Sequence, residues 1–95
     1  MSERMITLHK LDHPILRLKK PIPVRLEPLG SGWLVTWSAV ELYADGKTED
    51  EAVGNFKREI INYFISLRET PKQQHPKLLA LHLGLMNNYL EVPRH

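Results

Sequence analysis

The five histidines are the first residues in this 95-residue chain whose chemistry calls for a reading. His9 and His13 stand four apart, a spacing that shares a face only on a helix. Pro14 follows directly and pushes His13 toward extended backbone, so the two do not read as a ligand pair. His75 and His82 lie in separate contexts, and there is no cysteine to complete a zinc site. Metal binding is not expected, and His82, set among leucines, reads as a hydrogen-bonded core histidine. The carboxylates Glu49, Asp50 and Glu51 sit where a helix begins and favour its positive end. General acid–base catalysis needs two carboxyl groups converging from different elements, and the sequence shows no second cluster. It shows no glycine-rich phosphate loop and no nucleophile elbow. The reading is of a protein that is not an enzyme, with no cofactor and no catalytic residue.

Binding chemistry has two candidates. Trp33, Trp37 and Tyr43 would offer rings to nucleic acid bases if one sheet face exposed them all; packing them into a sheet core is the simpler use. The net charge is only +2, but it is unevenly spread. Arg17, Lys19, Lys20 and Arg25 make the first part of the chain basic, whereas carboxylates outnumber cations between Glu41 and Glu69. A basic arm on an acidic body could contact an anionic partner, and these four residues are the candidates for nucleic acid. The plainer alternative is an extended segment that buries Ile15, Leu16 and Leu18 and leaves its cations in water.

The elements that must position these residues follow from periodicity. Ile6 and Leu8 alternate with Thr7 and His9, suggesting a strand from Met5 to Leu11. Ile22, Val24 and Leu26 define the inner face of a second strand, Ile22 to Glu27. Pro21 and Pro23 cannot donate to a ladder, which places that strand at a sheet edge or starts it there. Pro28 to Gly32 reads as a hairpin connection. Trp33 to Ser38 is a strand with Trp33, Val35 and Trp37 on one face, and Val40 to Ala44 follows after a bend at Ser38-Ala39. Asp45-Gly46 is a turn pair. Thr48 and Glu51 form a capping box, in which the Thr hydroxyl accepts from the Glu51 N–H and the Glu carboxylate reaches back to the Thr48 N–H. Ala52, Phe56, Ile60, Tyr63, Phe64 and Leu67 then recur at steps of three and four, predicting a helix from Glu49 to about Arg68. A polar stretch, Glu69 to His75, leads to Pro76, well suited to open a second helix running to about Asn88. Its leucines spread over more than half the circumference, and Gly84 hints at close backbone packing. A short strand from Tyr89 to Val92 closes the chain.

The string Gly46, Thr48, Glu51, Ala52, Asn55, Ile60 and Tyr63, following a strand hairpin, resembles the HicB-like antitoxins over roughly Ile22 to Leu67. The resemblance implies a partial RNase H-like fold, with a small antiparallel sheet carrying a helix on one side. It implies action by binding rather than hydrolysis, and a small ribonuclease toxin as partner. Many such proteins add a C-terminal DNA-binding domain. Here only one further helix follows Leu67, so operator binding is not expected. Where the family carries a proline-containing turn between strands two and three, this chain reads Ser38-Ala39-Val40-Glu41.

The expected fold class is α+β: a three- to four-stranded antiparallel sheet with a helix packed on one face, plus a C-terminal helix. One domain spans residues 1–95, divided into an arm or strand (1–20), a core unit (22–68) and a C-terminal helix with a possible strand (76–92). So short a chain builds a marginal core, which favours a homo-oligomer. Ile61 and Ile65 fall outside the first helix's stripe. With Leu79, Leu83 and Leu90 they form the expected partner-binding face, unless the second helix covers them within the chain. No apolar run reaches membrane-spanning length and no signal-peptide core is present, so the expected location is cytoplasmic. The alternative function is a nucleic-acid-binding module that uses the basic arm.

Overall fold

The computed structural model describes residues 3–70 and 76–92. Six strands and two helices run in the order β1 (Arg4–Leu8), β2 (Arg17–Leu18), β3 (Ile22–Leu29), β4 (Gly32–Trp37), β5 (Leu42–Gly46), α1 (Glu49–Glu69), α2 (Lys77–Met86) and β6 (Leu90–Glu91), with a 3-10 turn at Ser38–Val40. The class is α+β. Strands β1, β3, β4 and β5 form an antiparallel sheet in the order β1-β3-β4-β5, and α1 packs on it. Of the polar stretch that joins the helices, residues 71–75, with Pro71 and His75, lie outside the described residues.

Alternation decides the buried face. Ile22, Val24 and Leu26 of β3 and Val35 and Trp37 of β4 point under α1 and are buried. From above, Ala52, Phe56, Ile60, Phe64 and Leu67 close the same core. Each large apolar side chain fully withdrawn from water contributes about 1.5–3 kcal/mol. Leu8, Leu11 and Leu16 seal one flank, and Met86 and Leu90 join the core from the C-terminal segment.

The hairpin is tighter than its five turn-prone residues suggested. Leu29 pairs with Gly32, so the loop is Gly30-Ser31 alone. Gly30 has φ +60, as a type II′ turn requires at its first central residue. The bend after β4 is the 3-10 turn, which ends in Glu41 at φ 56. An L-residue there is strained by roughly 1–2 kcal/mol.

β3 is central, not an edge, despite its prolines. The Asn55 side-chain amide donates to the Asp45 carbonyl at 2.8 Å, so that carbonyl points away from β4. Antiparallel alternation then aims Leu42, Ala44 and Gly46 at β4, and Arg25, Glu27 and Leu29 of β3 at β4 from its other side. The nitrogen of Pro23 therefore faces the β4 side at the level of Ser38, where β4 has already turned into 3-10. Pro28 falls beyond the first residue of β1, because Arg4 pairs with Leu26. Neither proline removes a ladder bond.

The termini form a second, two-stranded sheet that periodicity did not reveal. Arg17 pairs with Glu91 and Leu18 with Leu90, and the Lys19 N–H donates to the Tyr89 carbonyl at 2.6 Å. Gly84 does not mark close packing. A Cβ placed there meets nothing within 4 Å. Gly84→Ala should therefore raise stability by up to about 1 kcal/mol through helix propensity alone, read as a higher urea midpoint with an unchanged slope.

Candidate functional site

The strand-to-helix junction is built by the residues that carry the family resemblance. Gly46 has no room for a side chain: a Cβ there would stand 2.5 Å from the Ala52 backbone nitrogen. Thr48 caps α1, its hydroxyl accepting from the Glu51 N–H at 3.0 Å. The Glu51 carboxylate accepts from the Lys47 N–H rather than from that of Thr48. The helix start is thus held one residue further out than in the expected capping box. Asn55 ties the first turns of α1 back to the β5 carbonyl of Asp45 and also bonds the Arg58 guanidinium. These residues position β5 against α1. Thr48→Ala should cost about 0.5–2 kcal/mol, measured by chemical unfolding.

The expected partner face is not one surface. Leu90 is fully buried in the chain's own core, and Ile61 is only 9% exposed. Both are core residues, not partner-facing ones. Leu79 and Leu83 are half-buried against the same core, and Ile65 stays exposed. Lys57, one turn earlier on α1, is bonded to Asp12 at 2.8 Å, and Ile61 belongs to the same core cluster as Leu11 and Leu16. The hydrogen bond and charge of Lys57 hold the Asp12 carboxyl below the usual carboxylate range.

α2 meets α1 elsewhere. Tyr63 Oη and His82 Nδ1 lie 2.7 Å apart, with their rings edge to face. Burial, with the charge of Glu41 adding, pushes the Tyr63 phenol above its ordinary value. Ile65 sits two residues beyond Tyr63, about 200° around the helix. It therefore shares no face with α2. The leucines that α2 turns outward are Leu78, 53% exposed, and Leu81, 67% exposed. They stand three apart on one stripe, and the leucine periodicity alone could not tell them from Leu79 and Leu83.

Three of the four basic candidates lie together at the terminal sheet, and the fourth stands apart. Arg17 pairs with Glu91, and Lys20 stacks over the Tyr89 ring at 4.5 Å. Lys19 is exposed beside them, whereas Arg25 lies on the uncovered face of the main sheet next to Glu27. The aromatic candidates divide in the same way. Trp33 and Trp37 face α1, and Tyr43 points to the uncovered face. His13 is a loop organiser: its Nδ1 accepts from the N–H groups of Ile15 and Leu16 at 3.1 and 3.0 Å.

Among the described residues no group of three or more His, Asp or Glu is placed to hold a metal ion. No described helix is long and apolar enough to cross a membrane. Residues that the sequence reading missed lie around β5. Leu29, Leu34, Tyr43 and Asp45 line a groove with Glu41 and Glu59. The alternation Glu41-x-Tyr43-x-Asp45 was legible, but the groove depends on β5 being an edge. Comparison with protein-family models, with curated proteins and with solved structures finds no significant match to this chain.

Proposed function

We propose that this chain is a non-catalytic, cytoplasmic protein-binding domain of the HicB-like antitoxin type, which inhibits a small ribonuclease toxin and works as a homo-oligomer. The observation that carries the binding reading is the outward stripe of Leu78 and Leu81 on α2. Two large, neighbouring apolar side chains left in water by a chain this short are better accounted for by a second chain than by surface composition. The antitoxin reading adds the resemblance, and the residues that carry it assemble the helix on one face of an antiparallel sheet.

The test is growth. The reading requires a short reading frame beside the one that encodes this chain; its product, expressed alone, should arrest cells, and co-expression of this chain should relieve the arrest. Leu78→Asp with Leu81→Asp should abolish relief while the purified variant keeps the parental circular dichroism spectrum. Arrest that persists with the parent chain overturns the reading. The nucleic-acid alternative draws less support, because Arg25 stands apart from the other three cations and both Arg17 and Arg25 are already paired with carboxylates. It requires oligonucleotide binding that falls steeply with salt.

A further inference from the structure

A strand at a sheet edge has backbone groups that no neighbour satisfies, and β5 is such a strand. The Asn55 bond to the Asp45 carbonyl fixes which groups those are. Tyr43 and Asp45 point outward and their neighbours pair with β4. With the Asp45 carbonyl occupied by Asn55, the Tyr43 N–H, the Tyr43 carbonyl and the Asp45 N–H have no hydrogen-bond partner among the described residues.

A groove of about 580 Å³ follows this edge between the flank of α1 and the uncovered sheet face. Its apolar lining is Leu29, Leu34, Leu42, Tyr43 and Ala44, and Tyr43 is 67% exposed. Around them stand Glu41, Asp45 and Glu59, and none of these carboxylates forms an ion pair with a described residue. The lining also contains one cation, Arg58, whose guanidinium is bonded to the Asn55 side chain. Open backbone groups, apolar lining and negative charge without a described ion-pair partner meet along the β5 edge.

We propose that the free edge of β5 takes an extended, cationic segment of a partner protein as an added strand. The segment's backbone bonds Tyr43 and Asp45, its Lys or Arg side chains fall on the uncovered face beside Glu41, Tyr43 and Asp45, and its alternate, apolar side chains fall on the α1 side beside Leu42 and Ala44. Strand addition supplies affinity through the main chain and specificity through alternate side chains. The charge selects this occupant. A second copy of the chain would bring the same carboxylates face to face, where like charges repel, and nucleic acid would bring phosphates to an acidic rim. The inference stands on the β5 edge alone and does not require the partner to be a ribonuclease.

A dye-labelled peptide alternating lysine and valine is the probe, followed by fluorescence anisotropy and by amide hydrogen exchange. Saturable binding is expected, with exchange slowed at the Tyr43 and Asp45 amides. The same peptide methylated on alternate backbone nitrogens should bind about tenfold more weakly or worse, because it cannot join the ladder. The triple variant Glu41→Gln, Asp45→Asn, Glu59→Gln should weaken binding by a similar factor. Equal binding of the methylated peptide to the parent protein reduces the effect to charge attraction and overturns the proposal, even if the triple variant fails to fold. Absence of saturable binding at millimolar peptide overturns it too. So does a doubled molar mass with both amides already slow before peptide is added, which assigns the edge to a second copy. Peptide binding without relief of growth arrest leaves the groove in place and removes only the antitoxin reading.

Discussion

Trp37→Ala should lower stability by about 3–5 kcal/mol, a large share of the roughly 5–15 kcal/mol that holds a typical domain. Trp37 ends β4 and is 3% exposed. Its loss leaves a cavity where the sheet meets the C-terminal segment. The Tyr89 ring and the indole are T-shaped with centroids 5.3 Å apart, and Lys20 lies over the Tyr89 ring. Tyr89 also receives the Lys19 N–H and adjoins Leu90 of the terminal sheet. The substitution therefore has a second, local signature: the amides of β2 and β6 should lose exchange protection before those of β3 and β4 do. Trp37→Phe keeps a ring for Tyr89 and should cost much less. A loss for Trp37→Ala of under about 1 kcal/mol, below the range for a buried Trp, would show that the indole does not bridge the two sheets.

Gly46→Ala is the second large effect, expected at about 1–3 kcal/mol or more from overpacking. The new methyl group would stand 2.5 Å from the Ala52 nitrogen and 2.8 Å from the Glu51 carbonyl carbon. Both are backbone atoms of a capped helix, so relief requires the start of α1 to lift from β5. Gly32 sits across the ladder in the same bind, since a Cβ there would meet the Gly46 carbonyl oxygen at 2.5 Å. The helix would tilt away and Asn55 would lose its reach to Asp45. Urea unfolding gives the magnitude. By contrast Gly54, in the interior of α1 with open space around its Cβ, accepts alanine freely, which separates crowding from any general effect of replacing glycine. A Gly46→Ala protein as stable as the parent would contradict the close approach.

The chain's local signals determined its elements and most of its core. Alternation at Ile22, Val24 and Leu26 and steps of three and four from Ala52 to Leu67 report burial directly, because strand and helix periods translate sequence into face. The start of α1 was legible in Thr48 and Glu51 for the same reason: a cap is a contact between residues three apart. What the sequence could not decide is which elements become neighbours. Pro23 argued for an edge strand, and only the register showed that its nitrogen falls past the end of β4. Ile61 fell outside the helical stripe, yet it is buried in a core that also takes in Leu11 and Leu16 from far earlier in the chain. Leu79 and Leu81 are both leucines on one helix. Tyr63 and His82 decide which of them turns inward, through a hydrogen bond between residues 19 apart. The edge position of β5, and with it the groove, came from the strand order. Periodicity encodes how a residue faces within its own element, whereas adjacency is set by long-range pairing, which no local pattern carries.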